Sequence, residues 1–370
     1  MKQAIVIGAG VAGITASYLL SKDKWQVTLI EKENYLGGGF KTFYYGGHPY
    51  TLGPRPLVSR REQETRVFEF VNKLVPLRRL EHNMYSYVER DGNFYSYPVH
   101  EDDIPKMPDK DKIFRELISC AQSKKKPKNF EEFWQGLVGN TLYDKFINAY
   151  SKKMWQLKSN TQLKEFKWSP KGKALKTGRR YLECVVGYPY AMDGFESYFK
   201  NCTKDAVVLL GAAPRKIDPK KRIVEVKGKK LSADIIVNTI SLDDFFGHRY
   251  GTLPYLGRDF IKLVLPAEHI FPENVQYVYY PNDEEFLRVV EYKKLTYYKA
   301  PTSLLVMEVP SHNNGKLYPL PLPKSLALAK KYLNALPDNC FAIGRLGTYT
   351  YSIDLEGIIL QAFELMKKLK

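Results

Sequence analysis

Residues 3–8, QAIVIG, form a short apolar run rich in β-branched side chains that ends in glycine. VAGITASYLLS (11–21) then places apolar residues at helical spacing, and WQVTLIEKE (25–33) reads as extended again. The pattern predicts a strand–helix–strand unit about 30 residues long. Residues 101–165 change period: DKIFRELISCAQ and FEEFWQGLVGNTLYDKFINAYSKKMW carry apolar residues three and four apart, as in a helical domain. SKKKPK (123–128) reads as a solvated loop between two of its helices. Residues 205–240 read as strand, turn, strand, glycine hairpin and the strand ADIIVNT. Segments such as FIKLVL, NVQYVYY, FLRVVEY and TSLLVMEV within 253–309 alternate and predict an antiparallel sheet. The last segment, NCFAIGRLGTYTYSIDLEGIILQAFELMKKLK, predicts a strand, a glycine turn and an amphipathic helix. No internal repeat or low-complexity tract interrupts this order.

Composition narrows the function. The 370 residues suggest two or three domains, and 44% apolar content is that of an ordinary globular protein. No apolar run reaches the roughly 18–20 residues that span a bilayer. The opening MKQAIVIGAGVAG breaks into glycine after four apolar residues, which reads as a strand rather than a signal sequence. The expected compartment is therefore the cytoplasm. Cys120, Cys184, Cys202 and Cys340 form no CxxC pair, and the six histidines are scattered, so no metal site is expected. The net charge of +17 allows an anionic ligand. Nucleic acid is not expected, because no recognition motif accompanies the charge.

Gly8, Gly10 and Gly13 form GxGxxG between the first strand and the helix. The first glycine permits the tight turn, the second admits a pyrophosphate, and the third lets helix and strand pack closely. Val11 and Ala12 open the helix, whose N-terminal amides and dipole favour phosphate. Glu31, with Lys32 beside it, ends the second strand 18 residues past Gly13, where an acid can bind ribose hydroxyls. A dinucleotide site follows. The turn Gly37-Gly38-Gly39 resembles the extra glycine doublet of FAD-binding proteins of the glutathione-reductase type, and CFAIGRLGTYT resembles their closing motif. With no second GxGxxG, FAD is the expected cofactor.

Together these parts resemble the UDP-galactopyranose mutase family along nearly the whole chain. The resemblance is strongest at IVIGAGVAG, LIEKENYLGGG, NAYSKKMW (148–155), VVGYP (185–189), LRVVEYK (287–293) and GRLGTYTYSIDL (344–355). It implies an α/β fold: a Rossmann-like FAD domain from 1–75, 190–250 and 335–370, a helical domain from 100–165, and a six-stranded antiparallel sheet domain from 76–99, 166–189 and 251–334. It implies an enzyme that interconverts pyranose and furanose forms of a nucleotide-diphosphate sugar for cell-surface polysaccharide synthesis. N5 of reduced FAD attacks C1 in that family, without net redox change. Family members are often homodimers.

Residue roles follow from the same resemblance. Arg345 matches an arginine on the FAD pyrophosphate, and Ser352 and Asp354 follow it in the closing motif. Arg288 matches an arginine on the substrate diphosphate. Tyr349 and Tyr351 match tyrosines near flavin and diphosphate, and Tyr318 matches another pocket tyrosine. Trp155, with Tyr150 and Ser151, matches the uridine-side wall. The lid arginine aligns loosely with Lys173 or with Arg179–Arg180. Three departures stand out. Gly53-Pro54-Arg55 replaces a Gly-Ala-His or Gly-Pro-His against the flavin, Leu256 replaces an arginine that Arg258 would restore, and Ser96 replaces an asparagine. Arg55, held on stiff backbone between two prolines, is expected to stabilise an anionic reduced flavin. The changed residues leave the sugar open to a deoxy-, amino-, acidic or pentose alternative. An FAD amine oxidase or desaturase is the competing activity.

Overall fold

The computed structural model describes residues 1–59, 62–81, 83–164, 185–272 and 274–370. Strand β1 (Gln3–Ile7), helix α1 (Val11–Lys22) and strand β2 (Gln26–Ile30) form where the apolar spacing predicts them. β1 is buried throughout from Ala4 to Ile7, the mark of a strand covered on both faces. It pairs with β2 on one side and Ile235–Asn238 on the other. Val207–Leu209 and Cys340–Ala342 complete the five-stranded sheet, and every pairing is parallel. α1 and the C-terminal helix Leu355–Lys368 pack together in the cluster on one face. On the other, Val224 and Val226 of a three-stranded meander meet Ile5, Ile7, Ile30 and Ile236.

The second large sheet has seven strands. Their order is Tyr318–Pro319, Tyr255–Leu265, Ser303–Ser311, Arg288–Glu291, Val275–Tyr279, Asn83–Val88 and Asn93–Ser96. The resemblance implied six antiparallel strands. The structure differs because Tyr318–Pro319 adds a two-residue edge, and because Val275–Tyr279 runs parallel to Asn83–Val88. Those last two strands are far apart in sequence, so no tight hairpin forces them to oppose. Three short strands, Leu57–Ser59, Val185–Pro189 and Leu77–Leu80, form a separate small antiparallel sheet.

Helices Lys110–Gln122, Phe130–Tyr143 and Ala149–Trp155 follow the predicted helical period. Trp134, Tyr143, Phe146 and Trp155 share one core with Leu256, Tyr279 and Tyr318 of the seven-stranded sheet. Asp144–Asn148 is a π-helical turn between the last two helices. Such turns recur at functional sites, and this one leads directly into Tyr150 and Ser151.

The glycines of the first loop separate a structural from a binding role. A Cβ on Gly13 would lie 1.9 Å from the Gly8 carbonyl oxygen, whereas one on Gly10 would meet nothing within 4 Å. Gly13→Ala is expected to destabilise the fold by about 1–3 kcal/mol or more in denaturant melts. Gly10→Ala should cost under about 1 kcal/mol while abolishing dinucleotide retention on purification.

Candidate functional site

The site begins at the glycine loop. Gly8 turns the chain with φ +97°. α1 starts at Gly10 with no side-chain cap and no acid in its first turn, which leaves its N–H groups for an outside acceptor. Glu31 ends β2 almost fully buried. Its carboxylate accepts from the Ala9 N–H (2.6 Å) and the Glu33 N–H (2.9 Å), which fixes an acid beside the loop. The second glycine turn docks on the first: the Gly37 N–H donates to the Ala9 carbonyl at 2.8 Å, and a Cβ on Gly38 would sit 3.4 Å from Gly10 Cα. The late motif closes the same corner. Gly344, with φ +79°, leaves only 2.8 Å between a Cβ of its own and that of Ala12. Open space over Gly10, with uncapped amides and the nearby Arg345 as donors for a pyrophosphate and a fixed carboxylate as acceptor for ribose hydroxyls, is what a dinucleotide requires, so the residues present fit FAD.

Arg345 opens toward a second group of cations. Its Nη2 donates to the Ile353 carbonyl at 2.7 Å, while its buried Nε finds no acceptor among the described residues. Its guanidinium lies 5.2 Å from the Tyr318 ring centre, and that of Arg258 lies 4.5 Å from the same ring. Arg258 is 2% exposed and donates to the Gly257 carbonyl (2.7 Å). Among the described residues no carboxylate pairs with Arg55, Arg258 or Arg345. Leu256 and Arg258 are two residues apart on one strand, hence on the same face. A cation two residues from the expected position therefore still reaches the same side.

Arg288 is handled differently. It stands opposite Tyr279 on one neighbouring strand and opposite Glu308 on the other. Its Nε lies 2.9 Å from Glu308 Oε1; Glu308 is buried and Arg288 largely so. Burial opposes the charge on Arg288, but Glu308, with Tyr279 and Tyr318, more than offsets it and raises its pKa. Gly53 roofs this ion pair. With φ +86°, a Cβ there would come within 3.2 Å of Arg288 Nη2 and 3.3 Å of Glu308 Oε1. Arg55 follows: it donates to the Leu52 and Gly39 carbonyls and lies 5.4 Å over the Phe40 ring. The backbone ahead of it is pinned by Thr51, whose hydroxyl donates to the Gly53 carbonyl (2.6 Å) and whose carbonyl accepts from Tyr292.

Tyr318 is the centre of this charge. Burial pushes its phenol up, yet Arg55, Arg258 and Arg288 pull it further down, and it ionises below the ordinary value of 10. Tyr351 lies 5.8 Å from it and 4.7 Å from Trp155. Tyr150 packs 5.8 Å from Tyr279, and Ser151 is buried beside it.

Not every expected residue joins the cluster. Tyr349 is a core residue: its hydroxyl donates to the carbonyls of Pro254 (2.7 Å) and Leu320 (3.0 Å), and its ring packs with Tyr255. Its φ of +52° turns it away from Tyr351, two residues on. Lys32 is exposed and faces Glu33 (3.6 Å), and Ser352 is exposed. Asp354 caps the last helix, accepting from the Gly357 N–H. Pro54 stiffens the turn before Arg55. Lys173 and Arg180 lie outside the described residues. Conversely, the sequence reading passed over Glu308 and Tyr279. Both stand directly across from Arg288 on the same sheet face, a signal present in the alternation of LLVMEV and VQYVY but invisible without the register.

The charge around Tyr318 has a measurable sign. An alkaline titration followed by tyrosinate absorbance should show one phenol ionising below 10 that vanishes in Tyr318→Phe. In Arg55→Ala it should move up, since the first of its opposing cations is gone. Because the folded pKa lies below the unfolded one, the native state binds fewer protons between the two values. Stability should gain from this group as pH rises through that interval.

A family model described as UDP-galactopyranose mutase matches residues 145–351, and one described as an NAD(P)-binding Rossmann-like domain matches residues 6–74. The dTDP-fucopyranose mutase of Escherichia coli is 24% identical over 98% of this chain and 97% of its own length. A probable UDP-galactopyranose mutase of Klebsiella pneumoniae is also 24% identical, over 98% and 93%. Among solved structures, a reduced UDP-galactopyranose mutase superposes with a TM-score of 0.83 at 17% identity, covering 100% of this chain and 95% of that one. With the family model spanning more than half of its residues, the chain belongs to the UDP-galactopyranose mutase family, whose members are isomerases.

Proposed function

We propose that this chain is a flavin-dependent mutase that interconverts the pyranose and furanose forms of a nucleotide-diphosphate sugar. The observation that carries the reading is the charge balance around Tyr318: four guanidinium groups and one carboxylate, converging on a buried phenol. That is a receptor for a dianion. As the anomeric bond lengthens, charge accumulates on the departing diphosphate. Fixed guanidinium donors in a partly dry site stabilise that charge more than they stabilise the ground state. Arg288 is held in place by Glu308. Arg258 and Arg345 have no carboxylate to satisfy them among the described residues, which suits them to phosphate. Tyr318 and Tyr351 add neutral donors between the arginines and Trp155. Tyr150, Ser151 and Trp155 form the wall on the nucleotide side.

Reduced FAD, when bound, supplies the nucleophile for the anomeric carbon. Gly8, Gly10, Gly13, the first-turn amides at Val11 and Ala12, Glu31 and Arg345 would hold it. Arg55, on the stiff Gly53-Pro54 turn and bound to the Gly39 carbonyl of the second glycine turn, would favour its anionic reduced form. The sugar is UDP-galactopyranose or a close relative. Relatives named for dTDP-fucopyranose and for UDP-galactopyranose match with the same identity, so the residues around the sugar carry the difference. An oxidase or desaturase activity is not favoured, because the mutase model covers the part of the chain that holds Arg258, Arg288, Tyr318 and Arg345.

Dithionite-reduced protein, incubated with UDP-galactopyranose, dTDP-fucopyranose and further nucleotide hexoses and pentoses, should convert one of them to its furanose, read by NMR. The oxidised protein should not, and aerobic turnover should yield no stoichiometric peroxide. Arg288→Ala should lower kcat/KM by about 100-fold or more with flavin content unchanged. Arg55→Ala should lower the flavin reduction potential, because the reduced anion loses its neighbouring cation. An unchanged potential and turnover would remove Arg55 from the mechanism.

A further inference from the structure

Lys153 lies in the stretch NAYSKKMW, on the helix Ala149–Trp155, between the wall residues Tyr150 and Ser151 on one side and Trp155 on the other. Its ammonium does not point to an acid. It donates to the main-chain carbonyls of Tyr280 (2.9 Å), Asn282 (3.3 Å) and Glu284. No carboxylate of the described residues pairs with it. Three carbonyls around one ammonium match its three donors and leave none spare.

The segment it grips connects the two halves of the site. Tyr280 directly follows Tyr279, whose ring contacts Tyr97 and Tyr150. Four residues past Glu284 the chain reaches Arg288, opposite Glu308. The middle of the same turn is also held by the Asn282 side chain, which accepts from the Glu89 N–H and donates to the Lys145 carbonyl. Lys153 therefore ties the helix carrying Trp155 directly to the connection that leads into Arg288.

We infer that Lys153 is a positioning residue: by closing on the carbonyls of residues 280, 282 and 284 it sets the spacing between the helical wall and Arg288, so that one ligand can meet both ends at once. This rests on the proposed nucleotide-diphosphate reading and refines it. A ligand that spans the site depends on that spacing. A ligand that touches the arginines alone does not.

Protonation bears on the same clamp. Burial lowers the pKa of Lys153 to about 8, against the opposing pull of Glu284 and Asp283 in the segment it grips. On the elements packed here, Lys152 neighbours it on its own helix, and Lys145 of the preceding turn is paired with Asp91 and Asp109. As pH rises through that value the amine loses a donor, and a lone pair faces a carbonyl instead.

The test uses purified holoprotein and three probes: UDP, dTDP and inorganic pyrophosphate, with binding read by calorimetry. Lys153→Met is expected to weaken the better-bound nucleotide by about tenfold or more, while pyrophosphate affinity and flavin content hold. Lys153→Arg, which keeps a permanent cation, should recover much of the nucleotide affinity. In the unmodified protein the ratio of nucleotide to pyrophosphate affinity should fall as pH rises through about 8, a measurement that needs no variant. The ratio discounts Tyr318, which faces both probes. Equal losses for nucleotide and pyrophosphate in Lys153→Met, or an affinity ratio flat from pH 7 to 9, would overturn the inference. If the unmodified protein binds pyrophosphate but neither nucleotide, the nucleotide-sugar reading itself fails.

Discussion

Four like charges do not gather around one buried ring unless something offsets their repulsion and desolvation. Here Glu308 neutralises one of them, and that is the only ion pair to which Arg55, Arg258, Arg288 and Arg345 contribute among the described residues. The rest are held by carbonyl oxygens, those of Leu52, Gly39, Gly257 and Ile353, and by the faces of Phe40 and Tyr318. Carbonyl dipoles and ring faces fix a guanidinium in place without cancelling its charge. The result is a preorganised positive field around a buried phenol, and the dianion proposed as its ligand would meet donors already aligned. Burying the cations costs stability in the empty protein, and the ligand returns that cost as affinity.

The fold supplies the rigidity this arrangement requires. Arg288 stands in the middle of a seven-stranded sheet, with neighbours in register on both sides, so its side chain cannot drift without moving Tyr279 and Glu308. Arg258 comes from the next strand but one, and Arg345 from a four-residue helix wedged against the start of α1. Three parts of the chain remote in sequence thus reach one ring. The backbone comes close where side chains would forbid it. Gly53 lies over the Arg288–Glu308 pair, and Gly344 lies against Ala12.

Much of this was legible beforehand, and the boundary follows physical lines. GxGxxG could be read because its chemistry is local: turn, strand and helix lie within one unit, and the spacing to Glu31 is set by strand length. The arginines at 55, 288 and 345 were legible through family motifs. Arg258 was named through the same resemblance, as the cation that would restore the arginine replaced by Leu256, and the strand explains why a shift of two residues keeps the face. Glu308 and Tyr279 were not, because their role depends on strand register, which is set by pairing across long loops. Tyr349 illustrates the opposite case. It lies in the same string as Tyr351, but one positive φ sends its hydroxyl to the carbonyls of Pro254 and Leu320, and no side-chain identity announces that turn.

Arg55 is where these constraints meet. A histidine at that position would carry a charge that depends on pH, while a guanidinium carries one throughout the working range. Its length lets it reach back to the Gly39 carbonyl, on the turn that docks against the first glycine loop, while its charge acts on Tyr318 across the arginine cluster. A single side chain thereby couples the two glycine turns to the arginine cluster. A shift in the cofactor-side turn would change the field at Tyr318, and a dianion arriving at Tyr318 would relieve the repulsion that Arg55 feels from Arg345. Under the proposed reading, arginine in place of the family's histidine would make the electrostatics of the two half-sites interdependent, which a shorter ring would not do.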